Sequence, residues 1–71
     1  MENLRKLRRA YHYTQIAVHM TTGIDQSLLS KYERGERLPS VENLLLLAKL
    51  YNTSLDYLMD LTDEASPYPR K

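Results

Sequence analysis

The 71-residue chain has no cysteine, tryptophan or phenylalanine, only two glycines, and three prolines, two of them in its last five residues. Without cysteine there is no disulfide staple and no thiolate metal ligand. No apolar run approaches 18 residues, and the opening Met-Glu-Asn-Leu-Arg lacks an apolar signal region. No membrane partner is therefore expected, and the chain reads as cytoplasmic. Strand-like alternation of apolar and polar residues is missing. Two histidines, His12 and His19, invite a metal or catalytic reading, but no carboxylate cluster accompanies them. There is also no nucleophile–base pair, carboxylate dyad or phosphate loop. The expectation is no enzyme activity, no catalytic residue, no metal and no cofactor.

What is present is helical periodicity. A chain this short buries only about 60% of its unfolded surface, and leucine-rich packed helices are the way to stability. The spacing predicts five short helices. The first covers residues 3–11, with Leu4, Leu7, Ala10 and Tyr11 at helical intervals. Thr14 caps the second, which carries Ala17 and Val18; Thr22-Gly23-Ile24 is the turn. Asp25 caps the third, which runs to Arg34 and stops at Gly35. "ERLPS" is a loop. Ser40 caps the fourth helix, with Val41, Leu44, Leu47, Ala48 and Tyr51 as its core stripe and Asn52 at its end. Ser54 caps a last helix bearing Leu55, Leu58 and Met59. Residues 1–61 make the domain, and residues 62–71, ending in "ASPYPRK", read as a flexible tail. Most of the six tyrosines sit at core spacing, which favours core over base stacking.

Charge is divided along the chain. Residues 1–37 carry seven Lys/Arg and four Asp/Glu, whereas residues 38–71 carry three and five. A basic front half suits an anionic partner met by one side, although a chance split gives the same count.

The stretch "GIDQSLLSKYERG", residues 23–35, bears on that partner. On a helical wheel Leu29 and Tyr32 fall together, with Glu33 beside them. Ser27 and Lys31 align on the opposite flank, Leu28 sits at the border, and Gln26 projects from the first turn. These side chains suit a DNA major groove. A Gln amide can pair with adenine, a Ser hydroxyl with either purine, a Lys with guanine or phosphate, and a Leu with a thymine methyl. An ordinary solvated helix face is the alternative.

The preceding helix and its glycine turn make this a helix-turn-helix arrangement. Here residues 4–59 resemble the Xre/Cro-type phage-repressor helix-turn-helix family. "LRKLR" resembles the family's first helix and "TQ" at 14–15 the start of its second. "TGIDQSLLSKYERG" resembles its turn and recognition helix, and "PSVENLLLLAKLYNTSLDYLM" its last two helices. The resemblance implies an all-α, five-helix, lambda-repressor-like DNA-binding domain. The function it implies is a sequence-specific transcriptional regulator, a repressor, that binds a palindromic double-stranded DNA operator as a homodimer. The alternative is an antitoxin-type subunit that binds a toxin protein and autoregulates its operon. Carried over by position, Gln26, Ser27, Leu28 and Lys31 would contact bases, and Thr14, Gln15 and Arg37 phosphates. Asp25 would be a cap only, since a carboxylate there repels phosphate. Arg8 of "LR" and Glu33 of "ERG" would form a structural ion pair.

Several positions depart from the family's pattern. His12 stands where Gly often ends the first helix. His19 replaces a small residue between the second and third helices, which puts their close approach in question. Tyr13 replaces a Leu before "TQ". Leu46 and Leu50 lie off the core stripe of the fourth helix, apolar where the family is charged or small. They are read as a dimer interface, a contact for another protein, or a surface covered by the last helix or tail.

Overall fold

Three of the five helices form where the sequence supplies a capping side chain at one end and a left-handed stop at the other. The structure, a computed structural model, describes residues 1–67. It contains α1 (Glu2–Ala10), α2 (Gln15–Thr22), α3 (Gln26–Arg34), α4 (Val41–Tyr51) and α5 (Leu55–Leu58), with no strand among the described residues. Thr14 accepts from the Ala17 amide at 3.0 Å, Asp25 from Ser27 at 3.1 Å, Ser40 from Asn43 at 3.2 Å and Ser54 from Tyr57 at 3.1 Å. These side chains satisfy amides that the first helical turn leaves orphaned. At the other ends Gly23 (φ 78°), Gly35 (φ 74°) and Asn52 (φ 50°) take the left-handed conformation. α1 ends differently: after Tyr11, His12 turns the chain at φ 58°.

Helix α3 packs on α2 and α1, and α4 on α5 and α2. Leu4, Leu7, Val18, Ile24, Leu29, Tyr32, Leu47, Tyr51 and Leu58 fill the core. His19 does not hold α2 away from α3. Its ring Nδ1 donates to the Ile24 carbonyl at 2.8 Å across the turn, so the larger side chain is absorbed as a clasp.

Four expectations about the core are corrected. Val41 is 70% exposed: the first turn of α4 meets α3 through Asn43, which donates to the Tyr32 hydroxyl, and Leu44 begins the buried stripe. Met59 is exposed and Leu55 half-buried, since α5 is a single turn in which Leu58 is buried and Tyr57 packs against the core. Tyr11 and Tyr13 lie over the end of α4 rather than inside. The Tyr11 hydroxyl donates to the Tyr51 carbonyl at 2.8 Å, and its ring meets the Tyr51 ring edge-on at 5.4 Å. Tyr51 is buried beneath them, and that burial pushes its phenol well above the usual range. Leu50, placed off the core stripe by the wheel, packs against the core cluster, because α2 covers that flank of α4.

The far end of the chain is fastened to its beginning. Both carboxylate oxygens of Asp60 accept α1 amides, from Glu2 at 3.0 Å and Asn3 at 2.9 Å. The buried Asn3 amide donates to the carbonyls of Tyr57 (2.8 Å) and Thr62 (3.3 Å). Thr53 donates to the Ala65 carbonyl at 2.7 Å. Residues 68–71 of the expected tail lie outside the described residues.

Candidate nucleic-acid interface

The amphipathic pattern of α3 decides which side chains are free. Leu29, Tyr32 and Glu33 are buried, while Gln26, Ser27, Lys31 and Arg34 are exposed. Tyr32 is further fixed by its hydroxyl, which accepts from the Asn43 amide of α4 at 2.9 Å. Glu33 is held by α1. Arg8 Nε donates to its Oε2 at 2.7 Å and Arg8 Nη2 to its Oε1 at 3.0 Å, while Arg8 Nη1 reaches the Tyr13 carbonyl at 3.1 Å. The Glu33 hydrogen bond holds the Arg8 guanidinium above its ordinary pKa. Arg5 stands 3.9 Å from the same carboxylate. This anchorage sets the rotation of α3 about its axis.

The exposed tip then has defined chemistry. Among the described residues, the Gln26 amide and the Lys31 ammonium make no hydrogen bond or ion pair, so both are free to meet a ligand. Ser27 is not equally free. Its hydroxyl donates to the Asp25 carboxylate, which is held below the ordinary carboxylate range by that bond. Ser27 therefore presents lone pairs and suits a donor such as a base amino group. Leu28 is half-buried against the core and offers only an edge. Arg34, on the same polar side, is exposed but already bound to Ser30 and to Glu36 in the following loop.

The expected phosphate contacts are not gathered at the tip: Gln15 lies beside Glu33, near the far end of α3, and Arg37 follows that end in the loop. Thr14 accepts from the Ala17 amide and keeps its hydroxyl proton for an outside acceptor. The half-buried Gln15 donates to Glu33 Oε1 at 3.4 Å, a long bond that an anion can displace. Arg37, in the loop after α3, is exposed and unpaired among the described residues. Leu46 and Leu50 are elsewhere, lining a shallow groove with Thr21, Thr22 and Lys49. Further apolar side chains, not singled out from the sequence, are exposed near the start of α4: Leu38 by 71% and Leu45 by 55%. The run of leucines at 44–47 is their only signal, since four in a row cannot all face inward.

Two helices joined at a glycine turn, the second exposing a polar tip, define a helix-turn-helix domain. The family model described as "Helix-turn-helix" matches residues 4–58, and the chain belongs to this Xre/Cro-type helix-turn-helix family. It is 36% identical over 66 residues to the uncharacterized HTH-type transcriptional regulator YobD of Bacillus subtilis, covering 93% of this chain and 59% of that protein. It is 40% identical over 65 residues to the HTH-type transcriptional regulator ImmR of the same species, covering 92% and 50%. Repressor protein C2 of Salmonella phage P22 is 36% identical over 58 residues, covering 82% of this chain and 27% of that protein. The chain thus spans between half and three-fifths of the length of the first two relatives. No solved structure matches it. Among the described residues no helix is long and apolar enough to cross a membrane.

Proposed function

We propose that this chain is a sequence-specific DNA-binding transcriptional regulator, a repressor, acting in the cytoplasm as a homodimer on a palindromic operator. The observation that carries the reading is the tip of α3, where Gln26 and Lys31 are exposed and free while the buried Glu33 fixes the helix behind them. With α3 in the major groove, Gln26 pairs with adenine, Lys31 reaches guanine, and Ser27 accepts from a base amino group. Thr14, Gln15 and Arg37 hold phosphates and fix the register without reading sequence. Repression follows if the occupied site overlaps a promoter. The names of YobD, ImmR and C2 support the regulatory reading.

Selection of bound duplexes from random DNA tests the proposal. We expect one enriched motif. Gln26→Ala and Lys31→Ala should each relax preference at one base position by roughly 5- to 150-fold, as about 1–3 kcal/mol per base contact implies. Circular dichroism should be unchanged. No enrichment, or an unaltered motif for both variants, sinks the reading.

A further inference from the structure

Between Gln26 and Arg37 the chain places two carboxylates among its cations. Glu33 is buried and taken by Arg8. Glu36 is exposed and is joined instead to the outward face of α3. Gly35 brings it there. In the left-handed conformation Gly35 folds the chain back, so that the Glu36 amide donates to the Lys31 carbonyl at 2.9 Å. The Glu36 carboxylate then accepts from Arg34 Nε, while Arg34 Nη1 donates to the Ser30 hydroxyl. The Arg34 bond holds the Glu36 carboxyl below the ordinary carboxylate range, and the nearby charge of Lys31 adds to the effect. The same bond raises the Arg34 guanidinium. One carboxylate thus faces both cations in the last turn of α3.

Neither the helix nor DNA favours a carboxylate at that place. The C-terminal end of a helix carries partial negative charge, which Lys31 and Arg34 offset and Glu36 opposes. DNA phosphates repel it. Ser27, Lys31 and Arg34 stand at i, i+4 and i+7, so Arg34 continues the stripe read as meeting DNA. The N-terminal residues of a recognition helix meet base edges. The last turn of α3 is the opposite end, where Gln15 and Arg37 also stand. A guanidinium there fits phosphate oxygens as it fits a carboxylate. The internal pair is open to solvent on both sides and is therefore weakly held. A duplex phosphate brings a counterion release that the internal pair lacks, so DNA wins the exchange. We infer that Glu36 stands in for a DNA phosphate on Arg34 in the free protein, and that Arg34 trades it for that phosphate when α3 enters the groove. Glu36 is then an internal competitor that lowers the sequence-independent share of the affinity. This rests on the DNA-binding reading above.

The test uses the full chain on duplexes bearing the selected motif, with single backbone phosphates replaced in turn by uncharged methylphosphonate. We expect the wild type to bind more weakly at several replaced positions. Arg34→Ala should become indifferent to one of them and stay sensitive to the rest. Glu36→Gln should bind the selected and a scrambled duplex tighter alike, by about 2- to 5-fold, the range that an exposed ion pair is worth. Its salt slope should be steeper by up to about 0.9, and it should keep its sensitivity at the position that Arg34→Ala loses. In an Arg34→Ala background, Glu36→Gln should gain less than about 1.5-fold. Circular dichroism and thermal midpoint should stay those of the wild type, since both side chains are exposed. The inference is overturned if no position loses its effect in Arg34→Ala, or if Glu36→Gln gains nothing. It is overturned too if the gain is as large without Arg34, when the carboxylate repels DNA on its own account. A changed base preference in Glu36→Gln also overturns it, by putting Arg34 on a base edge. Failure of the wild type to bind any duplex would instead refute the DNA-binding reading itself.

Discussion

Arg8 of α1 grips both oxygens of the Glu33 carboxylate on α3, at 2.7 and 3.0 Å, and so ties the first helix to the one that exposes Gln26 and Lys31. Glu33 is buried and Arg8 mostly so. Removing one partner leaves a charge without compensation, which is the costly way to break such a pair. Arg8→Met should lower unfolding free energy by about 2 kcal/mol or more in urea titration. Arg8→Met with Glu33→Leu should recover part of that loss, because neither charge is then stranded. If Arg8→Met abolishes DNA binding at wild-type stability, Arg8 is a DNA contact and the pairing is incidental.

Local signals were legible in the sequence. Thr14, Asp25, Ser40 and Ser54 cap the helices they precede, and Gly23, Gly35 and Asn52 end them, because a cap or left-handed stop depends on a few adjacent residues. Placement of surfaces was harder. Four successive leucines, Leu44 to Leu47, leave the phase of α4 undetermined until α2 and α5 are set against it, so periodicity alone places Val41 in the core and Leu50 on the surface, the reverse of what the fold shows. Tyr11 and Tyr13 have core-like rings, yet their position follows from a turn at His12 that no periodicity describes. At the tip, the residue types were readable but not the hydrogen bond that commits the Ser27 hydroxyl to Asp25. Asp60 is 58 positions from the amide of Glu2 that it caps, and nothing local announces that partnership.

Salt dependence separates groove binding from adventitious adhesion. Each cation–phosphate contact adds about −0.9 to the slope of log K against log salt. Arg37→Ala should therefore make the slope shallower by about 1 and weaken all duplexes alike. Fluorescence anisotropy at several salt concentrations measures this. A slope unchanged by Arg37→Ala would remove that side chain from the phosphate contacts.

His12 holds φ 58° with a Cβ in place, a conformation that glycine adopts freely. The left-handed conformation costs a side-chain-bearing residue about 1–2 kcal/mol, and part of that is returned as the greater freedom of glycine in the unfolded chain. His12→Gly should raise stability by about 0.5–1 kcal/mol with DNA affinity unaltered. Thermal unfolding reads the change. A destabilised His12→Gly variant would mean that the imidazole makes contacts worth more than the strain.

Asp60 closes the fold in a way that three substitutions can dissect. The N-cap of α1, Met1, makes no side-chain cap bond, and the Asp60 carboxylate accepts from the amides of Glu2 and Asn3 instead. A negative charge at a helix N-terminus also opposes the helix dipole favourably. Asp60 itself sits at φ 62°, so two costs are superimposed at one position. Asp60→Gly removes the cap and relieves the backbone, and should cost about 1 kcal/mol. Asp60→Ala removes the cap and keeps a Cβ at positive φ, and should cost about 2 kcal/mol. Asp60→Asn keeps one acceptor oxygen and a side chain that tolerates the left-handed region, so it should be the mildest of the three. In every variant the amides of Glu2 and Asn3 should exchange with solvent faster than in the wild type, with Asn least affected. Equal stability of the Gly and Ala variants would show that the backbone at Asp60 is not strained. Unchanged exchange at both amides in the Ala variant would show that the carboxylate is not the cap of α1.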